Sequence, residues 1–185
     1  MALLRIRGNK GQALTTVPPN VARLREPAYP RSMDRLSALR AILAQSSDPS
    51  NPSAEQIREL FERVRCIAVV GFSRDPAKDA RRVPSYLAAK GYDVVPVNPG
   101  AQWIMGREAY PTLGDVREPV DLVVVFRPSS QAGAVVRAAM ARAERPAIWL
   151  QEGIRTDDEA REARKLGRIV VQDLCTYKVH RALYT

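Results

Sequence analysis

The chain has 185 residues, 45% of them apolar, which is enough to bury one hydrophobic core. No apolar run approaches the roughly 18 residues of a membrane-spanning helix, so we expect no membrane partner. Two cysteines and one histidine are too few for a disulfide framework or a structural zinc site, and we expect a protein of the reducing cytoplasm.

The net charge of +9 suggests a nucleic-acid partner, but its distribution argues against one. More than half of the excess charge lies in residues 1–32, which contain six cations and one acid. The rest of the chain has no basic stripe interleaved with aromatic residues, the pattern on which single-stranded nucleic acids stack. We therefore expect no nucleic-acid partner.

The N-terminal part of the chain divides into a tail and two helices. Residues 1–32 contain four prolines and no apolar periodicity, so burial cannot offset the entropy of ordering them, and a disordered tail is predicted. Residues 33–64 are predicted to form two helices, separated by the Ser-Asp-Pro-Ser-Asn-Pro stretch at 47–52. Ser53 and Gln56 have the spacing of a capping box that begins the second helix.

From residue 65 onward, short apolar runs alternate with helical stretches. The runs are residues 67–70, 94–97, 122–126, 147–150 and 169–171. Helices are predicted near 80–90, 129–143 and 156–166, the last begun by a capping box of Thr156 and Glu159, and from Thr176 to the end. Strands that are apolar on both faces form parallel sheets covered on both sides. Residues 65–185 are therefore predicted to form a Rossmann-like three-layer α/β domain with a five-stranded parallel sheet.

The first predicted strand is followed by a glycine and several cations. Ligands of open parallel sheets bind outside the carboxyl ends of the strands. Gly71 would let the backbone turn tightly there, and the next helix would offer its amide groups to a phosphate. Four basic residues lie in the loop or the first helical turn: Arg74, Lys78, Arg81 and Arg82. The alternative is that Gly71 is a simple turn and that the cations are solvated surface residues.

The second strand bears on which nucleotide this edge of the sheet would hold. A nicotinamide dinucleotide site needs two further glycines and an acid at the end of that strand. Phe72, Ser73 and Pro76 stand in place of the glycines, and the strand ends in Val-Asn-Pro at 97–99, without a carboxylate. Because an acid would repel a phosphate on the ribose, the pattern favours a phosphorylated adenosine. On this point alone NADP remains an alternative.

Ordered motifs run through the whole predicted domain. They include Gly-Phe-Ser at 71–73, Lys-Gly-Tyr at 90–92, Val-Pro-Val-Asn-Pro at 95–99, Phe-Arg at 126–127 and Trp-Leu-Gln at 149–151. Together they resemble the stand-alone bacterial CoA-binding proteins. Those proteins are similar in turn to the CoA-binding domain of the succinyl-CoA synthetase alpha subunit and of the ADP-forming acyl-CoA synthetases. The resemblance covers about residues 65–183.

The resemblance implies that coenzyme A or an acyl-CoA lies in the strand-end crevice, and it carries over site residues by position. The phosphate-side loop would be Gly71, Phe72, Ser73 and Arg74. The border of the adenosine would be Val97, Asn98 and Pro99. The opposite wall would be Phe126, Arg127 and Pro128. On electrostatic grounds we add Lys78 and Arg82 as phosphate ligands. Phe72 stands where the family commonly has a small residue, and we expect it to narrow the loop.

Catalysis finds little support in the sequence. The synthetases use a phosphorylated histidine from a second domain, and no such domain fits in this chain. Cys175 and His180 would form a nucleophile and base only if they lie within hydrogen-bond reach. We therefore predict CoA binding without catalysis, and the alternative is an NADP-dependent enzyme or redox sensor. A mixed disulfide between Cys175 and the CoA thiol is a further hypothesis.

The two tryptophans are expected to differ in role. Trp149 lies inside a predicted strand, where packing in the core is the expected role. Trp103 lies outside the predicted strands and can stack on an adenine.

Overall fold

The computed structural model describes residues 32–185, with side chains from residue 35 onward. The helices are α1 (Ser32–Leu43), α2 (Ala54–Arg63), α3 (Asp79–Ala89), α4 (Ser129–Met140), α5 (Asp157–Lys165) and α6 (Thr176–Tyr184). The strands are β1 (Cys66–Val70), β2 (Asp93–Val97), β3 (Trp103–Ile104), β4 (Arg107–Glu108), β5 (Leu122–Val125), β6 (Ala147–Leu150) and β7 (Val170–Val171), and a 3-10 helix spans Leu113–Asp115. The predicted disordered tail, apart from Ser32, lies outside the described residues.

Five of these strands form one parallel sheet in the order β2-β1-β5-β6-β7. The strand order reverses at β1, which pairs with β2 on one side and with β5 on the other. The predicted five-stranded parallel sheet is thus confirmed. The point where the strand order reverses, the switch point, lies at β1 between β2 and β5. Ligands of such sheets bind there, at the carboxyl ends of the strands.

Helices cover both faces of the sheet, because alternate residues of each strand point to opposite sides. In β1, Ile67 and Val69 belong to one hydrophobic core and Ala68 to the other. The first core contains side chains of α1, α2, α3 and α6, and the second contains those of α4, α5 and the 3-10 helix. The three-layer α/β architecture is therefore confirmed.

The two N-terminal helices pack into the first of these cores. In α2, Ile57 and Phe61 are buried, and the Phe61 ring lies 5.6 Å from the ring of Trp149 in β6. The predicted capping box forms: the Ser53 hydroxyl accepts from the Gln56 N–H at 3.3 Å, and the Ser53 N–H donates to the Gln56 side chain at 2.9 Å. Trp149 is fully buried, as expected for a residue inside a strand.

The second predicted capping box does not form, although α5 begins where expected. The Thr156 hydroxyl donates to the Glu159 carboxylate instead of accepting from a backbone N–H. The backbone N–H of Thr156 donates to the side chain of Gln172 at 2.7 Å. Because Gln172 takes this N–H, Glu159 has no amide of the cap to bind and pairs with Arg137 instead.

The loop between α1 and α2 covers the β7 edge of the sheet. The N–H of Gln172 donates to the side-chain oxygen of Asn51 at 2.8 Å, and the side-chain nitrogen of Asn51 donates to the Gln172 carbonyl at 2.9 Å. The Asn51 amide therefore takes the place of a neighbouring strand. The buried Gln172 side chain also donates to Asp48 of the same loop at 2.8 Å. At the β2 edge, the N–H of Tyr110 donates to the Pro96 carbonyl at 3.0 Å.

A short hairpin between β2 and β5 was not predicted. Strands β3 and β4 pair antiparallel around Met105 and Gly106, which have φ values of 56° and 72°. Positive φ at both central residues is the geometry of a two-residue hairpin turn. Trp103 in this hairpin is 57% exposed. No described helix is long and apolar enough to cross a membrane.

The only histidine of the chain, His180 of α6, is buried in an aromatic cluster with Tyr86 of α3 and Tyr92, the residue before β2. The His180 ring nitrogens lie 3.0 Å from the Tyr86 hydroxyl and 3.1 Å from the Tyr92 hydroxyl. A neutral imidazole has one donor and one acceptor, and two hydroxyl groups satisfy both. Burial, followed by the positive charge of Lys90, lowers the pKa of His180 to about 4.

This pKa makes the stability of the fold depend on pH. An unfolded histidine has a pKa of about 6.5, so on acidification the unfolded state binds the proton first. The contribution of His180 to stability is complete above about pH 6.5 and is lost towards pH 4, by at most about 1.4 kcal/mol per pH unit. The free energy of unfolding, measured with urea, should therefore fall more steeply between about pH 6.5 and pH 4.5 for the wild type than for His180→Gln. Carboxylates titrate alike in both proteins, and equal slopes would contradict this account.

Candidate functional site

A crevice of about 310 Å³ lies at the carboxyl ends of β1 and β2, at the switch point of the sheet. Its walls come from three strand ends, the segment before the 3-10 helix, and one face of α4. The lining residues are Val70, Gly71, Val97, Pro99, Pro111, Thr112, Leu113, Arg127, Gln131, Ala134, Val135 and Ala138. None of these described residues is acidic, and most are apolar. The crevice therefore suits a flat apolar group better than a sugar diol that needs a carboxylate.

Gly71 brings three strand ends close together. Its φ is +91°, and its N–H donates to the Val97 carbonyl of β2 at 2.9 Å. A Cβ at this position would lie 3.0 Å from the Arg127 Cδ and 3.2 Å from the Phe126 carbonyl. Glycine is therefore needed both for the backbone conformation and for the space. Gly71 is thus more than a simple turn, since a larger residue would push the loop after β5 away.

Asn98 ties the loop after β1 to the loop after β2. Its side-chain nitrogen donates to the Phe72 carbonyl at 2.8 Å, and its side-chain oxygen accepts from the Gly100 N–H at 2.8 Å. Both ends of the amide are used within the protein. In this arrangement Asn98 holds the walls of the crevice in position.

Phe72 turns its side chain away from the crevice. The ring is 1% exposed and belongs to the core beneath the loop, with the Arg81 guanidinium 5.9 Å from the ring centroid. The expected narrowing of the loop by this side chain is therefore wrong, because the ring fills the core. Only the backbone of Phe72 remains at the site.

The loop from Ser73 into α3 presents exposed cations. The Ser73 N–H donates to the Ala80 carbonyl at 3.0 Å, which folds the loop back onto the first turn of the helix. Arg74 and Lys78 are exposed and form no ion pair within the described part of the chain. Arg82 lies 3.6 Å from Asp79, and both side chains are largely exposed, so solvent weakens this pair. These cations follow Gly71, which lines the crevice, along the chain, but none of them lines it.

Arg127 lines the crevice and is held by a neighbour on α4. Its Nε donates to the Gln131 side-chain oxygen at 2.9 Å, and one Nη donates to the same oxygen. Phe126 before it is half-buried, and Pro128 after it is the residue from which α4 begins. The guanidinium thus stands at the mouth of the crevice without a carboxylate partner among the described residues.

Several lining residues escaped the sequence analysis. They lie in the segment before the 3-10 helix and on α4, and they are Pro111, Thr112, Gln131, Ala134, Val135 and Ala138. On α4 these residues have helical spacing, and Ala134, Val135 and Ala138 also have small side chains; this was the available signal. The segment before the 3-10 helix has no periodicity that would place it beside β2.

The proposed thiol and imidazole do not meet. The ring nitrogens of His180 are bound by the two tyrosine hydroxyls, and Cys175 lies elsewhere, in a small cavity of about 50 Å³ beside the Lys178–Glu152 ion pair. Burial raises the pKa of the other thiol, Cys66, to about 11, so that thiol stays protonated. No cluster of metal-ligating side chains occurs among residues whose side chains are described.

Comparison of the sequence with known proteins finds one matching domain family and several similar proteins. The sequence profile of the CoA binding domain matches residues 65–181. The uncharacterized protein YneT of Bacillus subtilis is 33% identical over 130 residues, which cover 70% of this chain and 96% of YneT. Acetate–CoA ligase [ADP-forming] II of Archaeoglobus fulgidus is 26% identical over 105 residues, which cover 56% of this chain and only 16% of the ligase.

Solved structures share the fold. A protein of Thermus thermophilus is 38% identical with a TM-score of 0.66, covering 70% of this chain and 98% of its own. A hypothetical protein of Pyrococcus horikoshii is 32% identical with a TM-score of 0.67, covering 71% of this chain and 92% of its own.

The crowding at Gly71 can be measured against a second glycine. Gly91 has a similar φ of +95°, but a Cβ there would meet no atom within 4 Å. Gly91→Ala should cost about 1–2 kcal/mol of unfolding free energy for the backbone conformation alone. Gly71→Ala should cost more, because it also displaces Arg127 and the Phe126 carbonyl. Urea unfolding of both variants is the measurement, and an equal loss would show that the close approach has no energetic weight.

Proposed function

Because this chain belongs to the CoA binding domain family, we propose that it binds coenzyme A or an acyl-CoA in the crevice at the switch point, without catalysing a reaction. The observation that carries the proposal is that none of the described lining residues of the crevice is acidic, and that Arg74 and Lys78 of the loop after β1 form no ion pair among the described side chains. Coenzyme A carries a phosphate on its ribose, which a carboxylate would repel and cations would attract. We further propose residues 65–185 as the binding unit, with residues 33–64 as the two helices that precede it.

In this proposal the adenine occupies the apolar part of the crevice. Pro99 and Pro111 offer flat apolar surfaces on one side, and Ala134, Val135 and Ala138 form a wall of small side chains on the other. Small residues on α4 leave room for a ring where larger ones would fill the space. Val97 and Asn98 border the adenosine, Val97 by lining the crevice and Asn98 by fixing the loop.

The phosphates lie at the loop after β1. Gly71 leaves the backbone open to them, and Ser73 and the N-terminus of α3 supply polar groups. One helix dipole contributes only about 0.3–1 kcal/mol, so a ligand with several charges needs cationic side chains as well. Arg74 and Lys78 are exposed and unpaired within the described chain, and Arg82 is only weakly held.

The wall after β5 completes the proposed site. Arg127 lines the crevice, and Phe126 and Pro128 flank it in the chain. Its hydrogen bonds to Gln131 orient the guanidinium so that it can bind an anion. Exchange of the neutral amide for a phosphate oxygen gives a stronger, charge-assisted hydrogen bond.

The polar side chains of the crevice support binding better than catalysis. The lining polar residues are Thr112, Arg127 and Gln131, and the Thr112 hydroxyl already donates to Asp115 at 2.6 Å. None of the three belongs to the side-chain types that usually act as general bases, which are His, Glu, Asp, Lys, Tyr and Cys. We therefore propose a role in holding the ligand, with no chemical step.

Calorimetry with coenzyme A and NADP tests the proposal directly. We expect coenzyme A to bind and NADP, whose phosphorylated ribose is similar but whose remaining half differs, to bind at least about tenfold more weakly. Native mass spectrometry of the purified protein should show a mass increase that matches coenzyme A or an acyl-CoA. Tighter binding of NADP, or no binding of coenzyme A, would refute the proposal.

Substitution of Arg74, in the loop after β1, and of Arg127, which lines the crevice, should distinguish the ribose phosphate from the other phosphates. Arg74→Ala and Arg127→Ala should each raise the Kd for coenzyme A about tenfold, the effect of losing one charge-assisted hydrogen bond. The Kd for dephospho-CoA, which lacks the ribose phosphate, should change much less. Arg161→Ala, at an exposed position of α5, is the control. Equal losses for both ligands would place the arginines at the diphosphate instead.

A further inference from the structure

A second cavity, of about 260 Å³, lies at the opposite end of the sheet from the proposed CoA site. It is bounded by Val64 before β1, Asp121 before β5, Ala147 at the start of β6 and Ile169 before β7. These are the amino ends of the strands. Three arginines also line it: Arg63, Arg145 and Arg168. Nothing in the proposed CoA binding uses this cavity.

Arg168 is the most unusual residue of this cavity. It is only 8% exposed, and its Nη2 donates to the carbonyls of Met140 at 2.8 Å and Arg142 at 3.3 Å. Its Nε and Nη1 have no partner among the described residues. Burial, followed by the positive charge of Arg145, lowers the pKa of Arg168. Buried guanidinium groups are normally paired with an anion, and this one has no such partner among the described side chains.

The other two arginines also bind backbone carbonyls and no acidic side chain that the structure describes. Arg145 donates to the Leu166 carbonyl at 2.5 Å, and Arg63 donates to the Glu59 carbonyl at 3.2 Å. None of the three arginines forms an ion pair within the part of the chain whose side chains are described. Three positive charges therefore line one cavity, and their hydrogen-bond partners within the described chain are neutral backbone carbonyls.

Two acids line the same cavity, but fixed donors already bind them. One Asp121 oxygen accepts from the backbone N–H groups of Arg65 at 2.8 Å and Cys66 at 2.9 Å. One Glu144 oxygen accepts from the Val120 N–H at 3.1 Å and from Arg142, which pairs with it at 2.5 Å. These bonds partly neutralise the two carboxylates, and neither carboxylate forms an ion pair with Arg63, Arg145 or Arg168 among the described side chains, although the charge of Glu144 still acts to raise the pKa of Arg168.

We propose that this cavity binds a small oxyanion, a phosphate or a carboxylate group, through Arg63, Arg145 and Arg168. Guanidinium groups present paired N–H donors that match the oxygens of both kinds of anion. The anion would supply the counter-charge that the buried Arg168 lacks among the described residues. The cavity has room for an ion of this size with several waters, since one water takes about 30 Å³ in the liquid. The site is separate from the proposed CoA crevice and does not depend on it.

Titration with inorganic phosphate tests the site. Calorimetry should be done against sodium chloride of equal ionic strength, with the protein saturated by coenzyme A or free of it. We expect saturable phosphate binding in both states. Arg145→Ala and Arg63→Ala should each weaken it about tenfold, the loss of one charge-assisted donor, whereas Arg117→Ala, at an exposed position outside the cavity, should leave it unchanged. A parallel titration with acetate identifies whether a carboxylate is the better ligand.

The location of the bound anion needs its own control. Phosphate also has affinity for cations of the loop after β1, so the titration should be repeated with the double variant Arg74→Ala, Lys78→Ala, in which binding should persist. Arg168→Met removes the buried charge. If that variant does not fold, Arg145→Ala and Arg63→Ala still show whether the anion binds in this cavity. No binding of phosphate or acetate, unchanged binding in Arg145→Ala and Arg63→Ala, or loss of binding in the loop variant would each overturn the proposal.

Discussion

The parallel pairing of β1 with both β2 and β5 is the interaction on which the rest of this structure depends. It buries a strand that is apolar on both faces. The helix that follows β1 and the helix that follows β5 pack on opposite faces of the sheet. The three loops that follow these strands then meet at one edge. Gly71 allows them to approach closely enough to form a walled crevice, since any side chain there would meet the loop after β5.

At the two edge strands of the sheet, β2 and β7, other parts of the chain form hydrogen bonds with the outer backbone groups. At the β7 edge the side-chain amide of Asn51 pairs with the backbone of Gln172, and at the β2 edge Tyr110 bonds to the Pro96 carbonyl. Unpaired edges invite association with other chains, and these contacts occupy backbone donors and acceptors that would otherwise be free. The loop between α1 and α2 therefore does more than end one helix and begin another.

The sequence predicted the five strands and their parallel arrangement well, because each strand is a short apolar run that local pattern reveals. It also placed Gly71, Val97, Pro99 and Arg127 at one edge, since the carboxyl ends of parallel strands must lie together. The hairpin of β3 and β4 was missed because two-residue strands carry no periodic signal. The inward turn of the Phe72 ring could not be predicted either, since it depends on the space that the core leaves beneath the loop.

Two asparagines hold this architecture through their side-chain amides, Asn51 at the sheet edge and Asn98 between the loops of the crevice. Each is followed directly by a proline, Pro52 and Pro99. Asparagine commonly ages to aspartate when the backbone nitrogen of the next residue attacks the side-chain carbonyl, and proline has no N–H with which to complete that cyclisation. The side-chain nitrogens of Asn51 and Asn98 both donate hydrogen bonds that hold the fold, and the prolines that follow protect both amides from spontaneous deamidation. This protection favours a long lifetime of each protein molecule.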